Sequence, residues 1–348
     1  MQRNFSPQKM FLGWALDRHR RCAFSEGADF ETWKRQTLPQ VLATIGEAVP
    51  EAAPNAELTG EWTHDGVRKQ RWLVDLLPGL SGAFLINYPG DWREGEQRAG
   101  LLCWHGHGGL GKGPVMGNDF DEESARLIRL NNYNYGHRMA QEGFITFAVD
   151  WMGMGEMRED NKPNWNNQGG GRDWCNLYYL MATMLGTTSI AVNVAIGRAA
   201  VDFACTLAGV DKNRLGVMGL SGGGTMTLWS ALCDPRLRAA EIMCYSDLWP
   251  IFLFRDAVCC GMQVAPGLFS LVDLPDLQGL LAPRPLLVDI GTYDECFGID
   301  GAMACYRKVE QIYRAAGAAD KLELDLFAGA HAWGGNKSVA FFKRHLLE

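Results

Sequence analysis

The chain predicts an α/β fold, a mostly parallel central sheet with helices on both faces, and three observations predict it. From Gly100 onward, short apolar runs are followed by glycine-rich turns and then by segments of helical period, and this unit recurs several times. The apolar runs are continuous rather than alternating, as expected of strands covered on both sides. With 348 residues, 47% hydrophobic and 21% charged, the chain also has enough apolar material for a large core.

Residues 1–60 read as an N-terminal helical extension and residues 61–348 as the main domain. Ser6-Pro7 is a helix start, a capping side chain followed by a proline whose missing N–H is no loss at the first helical position. Asp29 can cap a second helix, FETWKRQTLPQVLATIG, which Pro39 should bend or break. VPEAAPNAE is a linker. From Glu61 the period becomes strand-like, and VRKQRWLVDLL and GAFLINYPG, separated by PGLSG, predict an antiparallel pair at a sheet edge.

The parallel strands are then GLLCWHG, FITFAVDW, RLGVMGL, AAEIMCYS, RPLLVDIG and LELDLFAG, with helices near 123–142, 188–208, 223–233, 301–316 and 336–347. Two stretches, about 154–186 and 247–279, are too long for ordinary connections and read as lid-like insertions or pocket walls. The first carries Trp165, Trp174, Tyr178 and Tyr179, with Trp151 just before it, aromatic residues that serve either to pack a lid or to stack on a sugar.

Composition narrows the function. A net charge of −7, with no basic run beyond RHRR at 18–21, argues against a nucleic-acid partner. No apolar run reaches membrane-spanning length, and the first residues lack the apolar core of a secretory signal, so a cytoplasmic protein without a membrane partner is expected. Ten scattered cysteines without a CxxC pair read as free, largely buried thiols rather than disulfides or a zinc site.

Ligands in such sheets bind beyond the carboxyl ends of the strands. There, RLGVMGLSGGGTMTLW combines a strand, G-x-S-x-G and a helix, the setting of a strained turn that lifts a nucleophilic serine, Ser221, above the sheet. Gly219 and Gly223 should leave room where strand and helix meet, and Gly222 and Gly224 should keep the space beside the hydroxyl clear. A serine needs a base, and His331, just past the last strand in LDLFAGAHAWGG, is in place for it. The base needs an orienting carboxylate between the two in chain order. Asp294, after RPLLVDIG, is preferred over Asp247, and Asp289 is buried within its strand. Two backbone donors complete an oxyanion hole, the N–H of Gly222 and that of His107 in the HGHGG loop. His105 and His107 have the spacing of a metal pair but no matching third ligand, so neither metal nor cofactor is expected.

These segments resemble the α/β-hydrolase superfamily, and within it the acetyl xylan esterase and dienelactone-hydrolase-like branch. HGHGG matches the oxyanion loop, DWMGMGE the turn after the next strand, GLSGGG the elbow, DLPDLQGLLAPRPLLVDIGTYDECF the acid segment and GAHAW the histidine loop. The resemblance implies an α/β-hydrolase fold, a Ser221–His331–Asp294 triad and hydrolysis of small carboxylic esters, acetyl or sugar esters among them, through an acyl-enzyme. True dienelactone hydrolases carry cysteine at the elbow, where this chain has Ser221. Alternatives are a serine peptidase of the prolyl-oligopeptidase type, which would lack its propeller here, and a non-catalytic hydrolase-fold receptor. Trp104, Trp151 and Trp333, beside the site loops, would narrow an acyl pocket if they point inward.

Overall fold

A computed structural model of the chain describes residues 3–159 and 174–348. Its sheet has nine strands: β1 (Glu57–His64), β2 (Val67–Leu77), β3 (Leu80–Tyr88), β4 (Arg98–Trp104), β5 (Ile145–Val149), β6 (Val210–Leu220), β7 (Leu237–Met243), β8 (Leu286–Gly291) and β9 (Leu322–Phe327), in the order β1-β2-β3-β5-β4-β6-β7-β8-β9. The first three form an antiparallel meander, β3 runs antiparallel to β5, and β5 through β9 are parallel.

Alternation along the central strands sends side chains to two cores. Leu102, Trp104 and Val217 enter one, where Ile196 of the helix Ser189–Ala204, Trp229 of Gly222–Cys233 and Ile312 of Ile299–Ala315 cover the sheet. Leu101, Cys103 and Met218 enter the other, closed by Met139 of Tyr135–Gln141 and Phe341 of Ser338–Leu346. This two-sided burial is why the strands read as unbroken apolar runs.

The N-terminal helices start where the caps place them. Ser6 accepts from the Lys9 amide at 3.3 Å and Asp29 from the Thr32 amide at 2.9 Å. Phe30, Trp33 and Val41 of the second helix belong to the first core, and the preceding turn is stitched to the later insertion by Cys22 N–H donating to the Leu271 carbonyl at 2.8 Å.

Three local expectations are corrected. The helix Phe30–Ala43 continues through Pro39, since the carbonyl that proline leaves unpaired belongs to the exposed Arg35. The segment 123–142 is two helices, Glu122–Asn131 and Tyr135–Gln141, because Asn132 adopts left-handed backbone, φ 50°, and ends the first. The meander has a third strand, β1, whose exposed edge position spares it an apolar face and so hides it from hydrophobic periodicity.

In the two insertions, the described residues include the helix Trp174–Met184 in the first, and short helical turns leading to the helix Leu274–Gly279 in the second. Trp165 lies outside the described residues. No helix among the described residues is long and apolar enough to cross a membrane.

Candidate active site

Ser221 follows β6 directly and begins the helix Gly222–Cys233 with φ 61° and ψ −118°. A non-glycine residue is held in that region at a cost of roughly 1–3 kcal/mol, so the surroundings must impose it. They do so by close backbone approach. A Cβ on Gly219 would lie 2.5 Å from the Gly223 carbonyl oxygen, and one on Gly223 would lie 2.3 Å from that of Trp104. Gly222 passes the Trp151 ring and the His107 amide nitrogen, which its Cβ would meet at 2.7 and 3.1 Å. Gly224 has a different purpose from the expected one: its Cβ would strike Tyr245 at 2.6 Å, so it seats the helix on the chain after β7 rather than clearing space at the hydroxyl.

His331, in the loop after β9, and Asp294, after β8, meet directly, with Nδ1 to Oδ2 at 2.8 Å. The other carboxylate oxygen accepts from the amides of Cys296 and Phe297 at 2.7 and 3.0 Å, and the Phe297 ring stacks on the imidazole, centroids 5.9 Å apart. Burial pushes the Asp294 carboxyl up, but the His331 contact and the two amides outweigh it and hold it below its ordinary value. Asp247 has no such contact. Its Oδ1 accepts from the Leu248 amide at 2.7 Å, its carboxyl packs where a Cβ on Gly301 would go, and burial pushes it up to about 6.

Ser221 and His331 line one cavity of about 260 Å³, whose wall also includes His107, Leu110, Leu127 and Tyr133. The three tryptophans are not part of that wall. Trp104 donates to Ser230 at 3.1 Å, Trp151 to His105 at 3.1 Å, and Trp333 to Glu241 at 3.1 Å, each buried beneath the site instead of facing it. The aromatic residues of the first insertion also pack. Tyr178 stacks with Trp174, centroids 5.2 Å apart, and lies against Gly153, while Tyr179 covers Gly261.

Asn131 and Tyr133 were not anticipated. The Asn131 side chain donates to the His331 carbonyl at 2.6 Å and its own carbonyl accepts from the Trp333 amide at 3.0 Å, pinning the histidine loop. The Tyr133 hydroxyl accepts the Gly106 amide, anchoring the loop after β4. The helix break in LNNYNYG is the sequence sign of both.

His105 and His107 diverge and form no pair of ligands. His105 is buried, its Nε2 3.4 Å from Asp150, and burial pulls the ring down to about 4 against the pull of that carboxylate. Asp150 is in turn bound by Lys112, Nζ to Oδ2 at 2.6 Å, and accepts amides of Lys112 and Glu156. The His107 ring lies instead by two thiols, Cys175 and Cys260, all three ligand atoms within 4.8 Å of one another. Contact with Cys175 and with His107 draws the Cys260 thiol below its ordinary range despite burial. A second group with metal-ligand spacing, Cys244, Asp294 and His331, includes the His–Asp pair already described.

Residues 16–328 match the family model Abhydrolase_7, described as an abhydrolase family. The chain belongs to this family, and its fold is that of the α/β-hydrolases. It is 23% identical over 237 residues to a protein of Bacillus subtilis (strain 168) named "Putative hydrolase YtaP", covering 66% of this chain and 72% of that one. Among solved structures it resembles a putative acetyl xylan esterase from Bacteroides fragilis NCTC 9343, with TM-score 0.72 and 17% identity over 93% of this chain and 83% of that one. A glucuronoyl esterase from Solibacter usitatus superposes with TM-score 0.66 and 14% identity, over 94% and 97%.

Proposed function

We propose that the protein hydrolyses small carboxylic esters through an acyl-enzyme on Ser221. The observation that carries this reading is one cavity shared by a serine on a strained strand–helix turn and a histidine whose Nδ1 is held by a buried carboxylate. With Nδ1 so engaged, Nε2 is the ring atom left to take the Ser221 proton as Oγ attacks the ester carbonyl. The amides of Gly222 and His107, adjacent in space, receive the charge that develops on the carbonyl oxygen. His331 returns the proton to the departing alkoxide, and water repeats the sequence to release the acid.

The cavity of about 260 Å³ has room for a small ester, and the expectation of short acyl groups comes from the likeness in fold to an acetyl xylan esterase. Likeness in fold to acetyl xylan and glucuronoyl esterases makes acetylated and esterified sugars the first natural substrates to test. An alkoxide leaves with little need of proton delivery, whereas an amine must be protonated, so esters should be cleaved far faster than matched amides.

The test is kcat/KM for aryl acetate, butyrate and octanoate beside an aryl acetamide, with a fluorophosphonate adduct mapped by mass spectrometry. Acetate is expected to exceed octanoate, the amide to be slowest, and the adduct to sit on Ser221. An adduct elsewhere overturns the nucleophile, amide cleavage comparable to ester cleavage favours a peptidase, and no turnover of any ester favours a receptor.

A further inference from the structure

Outside the Ser221–His331–Asp294 constellation, another group of side chains has no part in the chemistry above. His107 comes from the loop after β4, Cys175 from the first turn of the helix Trp174–Met184, and Cys260 from the second insertion. These three distant segments bring their ligand atoms within 4.8 Å of one another, with His107 Nε2 3.1 Å from Cys175 Sγ. We propose that His107, Cys175 and Cys260 form a three-ligand site for a soft divalent metal ion, with Zn²⁺ the best fit, that clamps both insertions onto the loop after β4.

The donor set selects the ion. Two thiolates and an imidazole suit zinc and disfavour magnesium and calcium, which take oxygen ligands. Around tetrahedral zinc, bonds of about 2.3 Å to sulfur and about 2.0–2.1 Å to nitrogen put neighbouring ligand atoms roughly 3.3–3.8 Å apart, so the cluster needs only a small adjustment to receive the ion. A water molecule would fill the fourth position.

The surroundings hold the ligands in place. Cys260 Sγ accepts a backbone N–H from the turn Gly261–Gln263, and the Gln263 side chain takes the Cys260 amide at 3.1 Å. Asn176, next to Cys175, accepts the Gly261 amide at 2.9 Å and so joins the two thiol-bearing segments. Cys175 is buried, while His107 also lines the cavity, so an ion here would stiffen one wall of it. The proposal does not depend on ester hydrolysis.

The whole chain, purified under reducing conditions and stripped with a chelator, should be titrated with Co²⁺. One equivalent is expected, with a thiolate-to-cobalt charge-transfer band that Zn²⁺ abolishes, and with the band lost in both Cys175→Ser and Cys260→Ser. X-ray absorption of the zinc-loaded wild-type chain, which needs no variant, should show two sulfur and two lighter neighbours. A shell of nitrogen and oxygen alone, a band that survives in both variants, or the absence of any Co²⁺ binding would each overturn the site. So would a Cys175–Cys260 disulfide found by peptide mapping of the reduced preparation.

Discussion

Two histidine–aspartate pairs lie at the carboxyl end of this sheet, His331 with Asp294 and His105 with Asp150, and only His331 lines the cavity that Ser221 lines. His331 and Asp294 are 2.8 Å apart, the imidazole lines the cavity, and the other carboxylate oxygen accepts two uncharged backbone amides. His105 and Asp150 are 3.4 Å apart and both buried, and Asp150 is spent on the Lys112 ammonium. Lys112 in turn reaches Glu156, which Arg71 holds from the surface. The same two residue types are thus a candidate base with its orienter in one place and a scaffold in the other. What separates them is access to the cavity and the prior claim of a cation.

The largest effect should come from breaking the pair at the cavity. Asp294→Asn keeps the shape but favours the wrong imidazole tautomer, and a loss of about 10⁴ in kcat/KM is expected from the serine-protease precedent. Asp247→Asn, whose carboxyl caps the Leu248 amide and packs against Gly301 rather than contacting His331, should retain most activity. Kinetics of both variants near neutral pH check this, and the reverse ranking would move the orienting role to Asp247.

Breaking the scaffold pair should cost stability instead. Asp150→Asn leaves the Lys112 ammonium, only 2% exposed, with the half-exposed Glu156 as its remaining counter-ion, so the cost should approach but not exceed the ~3–5 kcal/mol of a fully broken buried pair. The denaturation midpoint should fall sharply while kcat of the protein still folded at low temperature changes far less than in Asp294→Asn. An unchanged midpoint with a 10⁴-fold loss of kcat would put Asp150 in the reaction.

The sequence makes these two pairs unequal in legibility. Ser221 and Asp294 each follow a strand with an unbroken apolar run, glycines mark the elbow, and His331 follows the alternating strand LELDLF, so local signals suffice to bring them to one edge. The scaffold network is non-local. Lys112, Asp150 and Glu156 look like ordinary loop charges until Gly111 and Gly155, both at positive φ, fold around the Asp150 carboxylate, where a Cβ on either would lie within 2.3 Å of Oδ1. Cys175, Cys260 and His107 are likewise hidden, because their meeting depends on how two insertions pack. The expected narrowing of the pocket by Trp104, Trp151 and Trp333 failed for a related reason: position beside a loop does not say which way a side chain turns, and all three turn into the cores.

The smallest effect concerns carboxyl groups beneath the histidine loop, Glu241 and Asp289, where burial is complete and no salt bridge to a cation is present among the described residues. Glu241 Oε1 accepts from Trp333 at 3.1 Å and from Ser338 at 2.6 Å, while its Oε2 and both carboxyl oxygens of the buried Asp289 meet no hydrogen-bond partner among the described residues. Asp325, which receives the Asn336 amide at 2.9 Å, adds repulsion. Burial is the chief cause that pushes Glu241 up to about 7. A folded-state value raised this way means that folding binds a proton more tightly than the unfolded chain does. That contribution is full below about 4.5 and is lost as the pH rises to about 7, the opposite of Asp294, whose depressed value adds stability that is lost only in acid. Glu241→Gln keeps an acceptor for Trp333 and Ser338 and removes the titration. Its stability should therefore fall less between pH 5 and 8 than that of the wild type, by about 1–2 kcal/mol, because Asp289 retains its own share. Melting temperatures across that range decide it. Parallel curves would mean that Glu241 stays ionised across that range, and that the loop bearing His331 is held through Trp333 by a charged carboxylate.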